Sequence, residues 1–163
     1  GLNIKYSNPQ EVGADRIVNS VAAYKLYGGP CIVVDFGTAT TFNVISQRGE
    51  FMGGCIAPGI ITGLEALTNN TAKLPRVEIA KPDSIIAKST VTGLQAGMVY
   101  GSTGMVKYIL QKLKEESGYT DVKVIATGGL SEVILGVDDE KIIDVVDRSL
   151  TLKGLKLIYD MNI

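Results

Sequence analysis

The chain has 163 residues, 45% of them hydrophobic, so it is long enough and apolar enough to bury the core of one compact domain. Its 16 basic residues face 17 acidic residues, and this near-neutral balance provides no positive field that would favour binding to nucleic acid. The sequence has no histidine and only two cysteines, which excludes imidazole catalysis, His-ligated metals and a disulfide framework.

The first predicted element is a helix that begins at Asn8-Pro9-Gln10-Glu11. Asn8 can cap free amides, Pro9 suits the first turn, and Glu11 is placed to reach back to the cap. Apolar residues at helical spacing continue the pattern to about Tyr27, and Gly28-Gly29-Pro30 ends it. We therefore expect one continuous helix before the first long strand.

Three short strands are predicted next. Residues 31–35 are an apolar run rich in branched side chains, which is typical of a buried strand. Residues 41–46 and 51–57 follow as two further strands, and Gly49 permits the turn between them. The pattern predicts a three-stranded antiparallel meander.

Helices and strands alternate in the rest of the chain. The predicted elements are a helix from Pro58-Gly59 to about Asn69, an irregular segment with a short strand at 74–83, a long helix from Thr90 or Thr92 to Ser117-Gly118, a strand at 122–126, a turn and helix from 127, a strand at 142–146 and a closing helix at 150–159. The sequence thus predicts an α/β fold in a single domain, residues 1–163, with a mixed sheet and flanking helices.

No apolar run approaches the roughly 20 residues that span a bilayer, and the first residues lack a basic region followed by an apolar core. We therefore expect neither secretion nor membrane insertion. Cys31 and Cys55 each adjoin strand-like residues and are expected to be reduced, buried thiols.

Residues 35–41 carry the first chemically suggestive pattern, in which an acidic residue at a strand end is followed by a glycine turn and three threonines. Gly37 lets the backbone approach a phosphate, the hydroxyl and amide of Thr38 can donate to its oxygens, and the Asp35 carboxylate can hold a cation. A tight hairpin whose threonines only favour strand conformation is the competing interpretation.

Gly13-Ala14-Asp15-Arg16 is the second suggestive pattern. On a helix, Asp15 lies about a quarter turn from the apolar stripe and Arg16 farther round, so both are expected to project. Asp15 could accept a hydroxyl proton while Arg16 holds an anionic substrate. The alternative is an ordinary solvated helix face, although Gly13 lowers helix propensity and therefore favours a close approach by another group.

Thr127-Gly128-Gly129-Leu130 is predicted to connect a strand to a helix. In such a turn, backbone amides and the helix dipole favour phosphate, and a nucleotide ring can lie on bare backbone. An ordinary strand-to-helix turn would have the same pattern.

The longest predicted helix carries Gly93, Gly97, Gly101 and Gly104, nearly one per turn on one side. In a soluble chain this spacing predicts tight packing against another backbone. The partner could be internal or a second subunit.

In order and spacing, these motifs resemble the type III pantothenate kinases, which belong to the actin-like ATPase and sugar kinase superfamily with its ribonuclease H-like lobes. The matching pieces are Gly1-Leu2-Asn3-Ile4-Lys5-Tyr6 with Asn8-Pro9, residues 11–19, residues 35–42, Gly53-Gly54 with Ala57-Pro58-Gly59, Leu74-Pro75, Thr90 and residues 126–130. The resemblance implies transfer of the ATP γ-phosphate to the primary hydroxyl of pantothenate, the first step toward coenzyme A. It also implies a cytoplasmic homodimer that uses Mg²⁺ and a monovalent cation, K⁺ or NH₄⁺.

The resemblance further implies roles for individual residues. Asp15 would be the general base. The pantothenate site would contain Tyr6, Gly13, Ala14, Asp15, Arg16 and Thr90. The ATP site would contain Gly37, Thr38, Gly128 and Gly129, and Asp35 would bind the monovalent cation.

The sequence departs from the family in one large respect. The family begins with a lobe that carries an Asp-x-Gly-Asn-Thr phosphate loop, and no such sequence occurs here. We therefore expect the chain to be a carboxy-terminal portion that is inactive by itself. Asn43 stands where aspartate is common, and Ala87-Lys88-Ser89 precedes Thr90 where glycine and arginine are common.

Two other functions are compatible with these residues. One is a non-catalytic, dimerising accessory module, because members of the family have been described as accessory factors for transcription. The other is a kinase that acts on a different small acid or on a sugar.

Overall fold

The computed structural model describes residues 2–71 and 73–163, which form a mixed sheet with helices on both faces. Its strands are β1 (Asn3–Ile4), β2 (Cys31–Phe36), β3 (Ala39–Ile45), β4 (Glu50–Pro58), β5 (Lys123–Thr127) and β6 (Val145–Val146). Its helices are α1 (Ala14–Tyr27), α2 (Ile60–Asn69), α3 (Thr90–Ser117), α4 (Ser131–Leu135) and α5 (Leu150–Asp160). Across the sheet the order is β1-β4-β3-β2-β5-β6.

The predicted meander is confirmed, since β3 pairs antiparallel with both β2 and β4. On its other side β2 pairs parallel with β5. Side chains on both faces of β2 are buried, so Val33 packs into one core layer and Val34 into the other. A strand that is buried on both faces has apolar residues at successive positions, which is why residues 31–35 could be recognised as a buried strand.

The two helical layers divide the core. On one face α1 and α5 contribute Ala22 and Leu150, which pack around Val33. On the other face α2, α3 and α4 cover the sheet, with Val99 and Ile134 in the larger cluster. The α/β class and the mixed sheet with flanking helices are therefore as predicted.

Helix α5 lies directly against the backbone of α1. A Cβ atom built on Gly154 would lie 2.5 Å from the backbone oxygen of Val18, so only glycine fits there without movement. At the end of α1, the Tyr27 hydroxyl donates to the buried Asp147 carboxylate at 2.7 Å, which also accepts from Lys153 at 2.7 Å. These contacts fix α5 beside α1.

The first helix differs from its prediction. Pro9–Glu11 forms a 3-10 turn, and α1 begins only at Ala14. Asn8 caps the short turn as expected, since its side chain accepts from the Gln10 amide. The interruption arises because Gly13 has extended backbone angles, φ -56° and ψ 142°, and serves as the N-cap of α1.

Smaller differences occur elsewhere. No strand is assigned within the described residues of the 74–83 segment, and the strand predicted at 142–146 is reduced to β6. Helix α3 does begin at Thr90, where Ser89 and Thr92 form a capping box. Gly1, the first residue of the family-like stretch, lies outside the described residues. None of the described helices combines the length and apolar character required to cross a membrane.

Candidate active site

Two glycine turns meet at one edge of the sheet. Because β2 and β5 are parallel and Asp35 is in register with Thr127, the turns that follow both strands emerge side by side. Gly128 has φ +98°, and a Cβ atom there would lie 2.5 Å from the backbone oxygen of Phe36. The structure thus brings together the two segments that the sequence analysis assigned to ATP.

The turn between β2 and β3 is braced from below by α2. The carbonyl oxygen of Thr38 accepts hydrogen bonds from the Gly59 amide at 3.1 Å and from the Thr62 hydroxyl at 2.8 Å. The Thr38 side chain is exposed and makes no hydrogen bond within the described chain. Gly37 is also exposed, so this turn presents a hydroxyl and bare backbone to solvent.

The second turn also presents bare backbone. Gly129 is exposed, and a Cβ atom there would have no neighbour within 4 Å among the described atoms. The helix that follows, α4, has only five residues, so its dipole contributes less than the sequence analysis assumed. Open main chain, which can support a flat ring, is the main feature of this turn.

Arg16 is buried, contrary to the expectation that it projects from the helix. Only 5% of its surface is exposed. Its Nε donates to Asn43 Oδ1 at 2.6 Å, its Nη1 to the Tyr6 hydroxyl at 3.2 Å, and its Nη2 to the Phe42 carbonyl at 3.4 Å. The guanidinium also stacks on the rings of Tyr6 and Phe51, 5.8 and 5.4 Å from their centroids.

The acceptors around Arg16 are all neutral. In the described part of the chain, no carboxylate lies within 4.0 Å of its nitrogens. Beneath it, Asn43 is fully buried, and its Nδ2 atom has no hydrogen-bond partner. A buried guanidinium without a counter-charge favours an anion close to the cluster.

Asp15 precedes Arg16 in the chain and is exposed in the first turn of α1, as predicted. A Cβ atom on Gly13 would lie 2.6 Å from Asp15 Oδ1, so the carboxylate folds back over the glycine. Gly13 is the N-cap and lies outside the helix, so it does not lower helix propensity there as the sequence analysis assumed. The neighbouring Ala14 is exposed.

Asp35, at the end of β2, is half-buried and close enough to Asp15 for the two charges to interact. Burial raises the pKa of Asp35 above its ordinary value, the charge of Asp15 raises it further, and a hydrogen bond from Asn19 acts in the opposite direction. Neither carboxylate forms an ion pair within the described chain. Two neighbouring carboxylates without a cationic partner provide oxygen ligands suited to a cation.

The sequence analysis missed two residues of the site, Asn19 and Thr151. Asn19 is 1% exposed and donates to Asp35 Oδ2 at 2.9 Å, while its own Oδ1 accepts from the Thr151 hydroxyl at 2.7 Å. Asn19 lies one helical turn after Asp15 within the apolar pattern of α1, and this polar interruption was the available signal.

Thr90 is not joined to the cluster by any hydrogen bond within the described chain. It is exposed in the first turn of α3, and its side chain makes no hydrogen bond there. The described residues also contain no group of three or more acidic or cysteine side chains that could hold a metal ion. Asp35 would therefore need oxygen ligands from the backbone or from a substrate.

Comparison with known proteins agrees with the motifs. Residues 1–112 match the family model described as type III pantothenate kinase. The type III pantothenate kinases of Agathobacter rectalis and of a Geobacillus species are 53% and 55% identical to this chain over 159 and 163 residues. The matches cover 98% and 100% of this chain but 60% and 62% of those relatives, so the chain spans about three-fifths of their length.

A solved structure has a fold similar to that of this chain. It comes from Campylobacter jejuni, and its name places it in the Baf family of transcriptional activators. It is 26% identical, with a TM-score of 0.65, and the superposition covers 99% of this chain and 69% of that one. With the family model matched over residues 1–112 and more than half of all positions identical to those of two named relatives, the chain belongs to the type III pantothenate kinase family.

Proposed function

We propose that this chain forms part of a kinase that transfers the γ-phosphate of ATP to the primary hydroxyl of pantothenate, yielding 4'-phosphopantothenate on the route to coenzyme A. Family membership supports the reaction class. The observation that carries the proposal is the arrangement of Asp15 beside a buried Arg16 that lacks a carboxylate partner.

Asp15 would act as the general base. It is exposed and forms no ion pair within the described chain, so its oxygens are free to accept the proton of the attacking hydroxyl. No histidine is present to compete for that role. Phosphoryl transfer depends mainly on positioning and charge neutralisation, so a single carboxylate base is chemically adequate.

Arg16 and Tyr6 would hold the substrate. Pantothenate is an anion, and its carboxylate would supply the counter-charge that Arg16 lacks. Because the Tyr6 hydroxyl accepts a hydrogen bond from Arg16, its own proton remains available for donation to the substrate. Gly13 and Ala14 would line the same site, and we propose that Thr90 joins it when substrate binds.

The two glycine turns would bind ATP. The exposed hydroxyl of Thr38 and the backbone of Gly37 would face the phosphates, and Gly128 and Gly129 would support the adenosine. Asp35 would hold a K⁺ or NH₄⁺ ion, which would supply positive charge near the phosphates. Mg²⁺ would be held mainly by the phosphates themselves, since the described residues offer no acidic cluster.

We further propose that catalysis requires a first lobe that grips the phosphates from the opposite side, as the greater length of the relatives suggests. A second subunit would pack on the glycine face of α3. Cβ atoms built on Gly97, Gly101 and Gly104 would meet no described atom within 4 Å, so no internal partner fills this face within the described chain. The proposed assembly is a cytoplasmic homodimer.

The test is ATP-dependent phosphorylation of pantothenate in potassium buffer. Four proteins are compared: this chain, the chain extended by a family-type first lobe, the extended Asp15→Asn variant and the extended Asp121→Asn variant. Asp121 is an exposed control at the other end of β5. We expect activity only in the extended protein and its control. Turnover by the unextended chain would refute the requirement for the first lobe, and full activity of Asp15→Asn would refute the base assignment.

The accessory-module alternative has one observation in its favour, the name of the Campylobacter jejuni relative. The near-neutral charge argues against direct contact with DNA. An extended protein that folds yet phosphorylates neither pantothenate nor a panel of small acids and sugars would favour the module over any kinase.

A further inference from the structure

The Asn19 amide links the proposed cation ligand to the last helix of the chain. Its side chain is 1% exposed and makes two hydrogen bonds, one as donor to Asp35 Oδ2 at 2.9 Å and one as acceptor from Thr151 Oγ1 at 2.7 Å. Both polar ends of the amide are thus used, within a layer that otherwise packs apolar residues of α1 and α5.

These two bonds select one orientation of the amide. If the Asn19 side chain were flipped by 180°, its Oδ1 would face an Asp35 carboxylate oxygen, and two acceptors would oppose each other in a buried setting. The hydrogen bond from the Thr151 hydroxyl favours the same orientation, because it requires the Asn19 oxygen, and not the nitrogen, on the α5 side. Thr151 therefore acts on Asp35 through Asn19, although 132 residues separate it from Asn19.

The hydrogen bond also determines which Asp35 oxygen remains free. Oδ2 is held by Asn19, whereas Oδ1 points toward the first glycine turn, because a Cβ atom built on Gly37 would lie 3.8 Å from it. Oδ1 is therefore the Asp35 atom that would hold an ion near the turn that presents Thr38. Rotation of the carboxylate would lose this alignment.

Helix α5 lies very close to α1 beside Asn19. The backbone oxygen of Val18, the residue before Asn19, lies 2.5 Å from where a Cβ atom of Gly154 would be. Thr151 is three residues before Gly154, on the same face of the helix. The close helix contact therefore sets the distance between Thr151 and Asn19.

We propose that Asn19 is a positioning residue that aims the Asp35 carboxylate at the nucleotide turn, and that Thr151 on α5 fixes Asn19 in its working orientation. This inference rests on the proposed function for the identity of the ligands, a monovalent cation beside nucleotide phosphates. The hydrogen-bond chain itself is independent of that function.

The test compares two substitutions at one site. Thr151→Val keeps the shape and removes the hydroxyl, whereas Thr151→Ser keeps the hydroxyl and removes a methyl group. If the role were only packing, serine would be the more damaging change. If the hydrogen bond matters, valine will be the damaging change and serine will retain function.

In the extended kinase, we expect Thr151→Val to raise the KCl concentration that gives half-maximal activity about fivefold, the loss expected for one hydrogen bond. The KM for pantothenate should stay within about twofold, because the Thr151 hydroxyl bonds to Asn19 and not to the Tyr6–Arg16 cluster. Thr151→Ser should remain within about twofold of the parent protein in both quantities. Equal impairment by valine and serine, or no change with valine, would overturn the inference.

A second measurement separates this inference from the proposed reaction. In ¹H–¹⁵N spectra of the unextended chain, the Asn19 side-chain amide should give resolved signals that shift on addition of KCl, and Thr151→Val should broaden or displace them while Thr151→Ser should not. If no protein phosphorylates pantothenate yet this pattern is observed, the inference stands and the proposed function fails. An Asn19 signal insensitive to Thr151→Val overturns the inference whatever the kinase assay gives.

Discussion

Replacement of Gly154 by alanine tests how closely α5 is held on α1. Alanine is favoured over glycine in a helix interior by about 1 kcal/mol, so helix propensity alone would make the variant more stable. Packing opposes this gain, since the new Cβ would lie 2.5 Å from the Val18 backbone oxygen and 2.7 Å from Val18 Cγ1. Both distances are roughly an ångström short of ordinary van der Waals contact, and the first involves backbone, so one helix must move.

The magnitude follows from these opposing effects. Overpacking of this kind costs about 1–3 kcal/mol. Retreat of α5 by roughly an ångström would also stretch the 2.7 Å bond from Thr151 to Asn19 beyond hydrogen-bond range, which adds about 0.5–1.5 kcal/mol. After the propensity gain is subtracted, we expect a net loss of about 2 kcal/mol, equivalent to a fall in Tm of about 4–8 °C for a chain of this length.

The assay is urea and thermal unfolding followed by circular dichroism. Gly93→Ala is the matched control, because this helical glycine is exposed and its new Cβ would only touch Ala87 Cβ at 3.9 Å. We expect the control to be unchanged or more stable by up to about 1 kcal/mol. If Gly154→Ala were as stable as the control, the close contact between α1 and α5 would be refuted.

Three further predictions concern single side chains. Gly128→Ala should destabilise the chain by about 2 kcal/mol or more, because φ is +98° and the new Cβ would clash with the β2 backbone. Gly129→Ala has open space around it and should change the unfolding free energy by less than about 0.5 kcal/mol. Equal effects of the two substitutions in urea unfolding would contradict this reasoning. Asp35→Asn should stabilise the chain at neutral pH, because the raised pKa means that the folded state disfavours the ionised carboxylate. That gain should vanish below about pH 3.9, where the unfolded carboxyl is also protonated, and a gain that persisted there in unfolding measurements would contradict the reasoning. Tyr27 donates to the buried Asp147 carboxylate, which raises the pKa of Tyr27 from 10.0 to about 12, so its contribution to stability should be lost as pH rises through this interval. In alkaline unfolding, Tyr27→Phe should be the less stable protein at pH 8 but should lose less stability than the parent protein above pH 10.

Much of the fold was predictable from local sequence. The apolar run at 31–35, the two strands predicted after it and the turn at Gly49 indicated the meander, which the structure confirms. The start of α3 was predicted at Thr90 or Thr92 and lies at Thr90, where Ser89 is the cap, because capping depends on neighbouring residues alone. Patterns of this kind are readable because the interactions that produce them lie within a few residues of one another. The break at Gly13 was missed because Asn8-Pro9-Gln10-Glu11 has the pattern of a helix start, whereas in the structure Asn8 caps only a 3-10 turn.

The family could also be identified from sequence, since the order and spacing of short motifs can be recognised without knowledge of the fold. The match over residues 1–112 confirms this identification. The sequence likewise identified Asp15 and Asp35 as carboxylates of interest. It could not determine their surroundings. Arg16 was expected at the surface and is buried, because its acceptor Asn43 comes from a strand 27 residues away.

The sequence by itself therefore determined the class of fold, the family, the glycine turns and the absence of histidine chemistry. Tertiary structure alone decided that β2 and β5 are neighbours, which brings both glycine turns to one edge, and that Asn19 connects Asp35 to Thr151. The physical reason is the sequence separation of the interacting residues, since propensity, capping and periodicity act between near neighbours in the chain. The order of strands in a sheet and the partner of a buried amide depend instead on contacts between residues far apart in sequence, which no local pattern records.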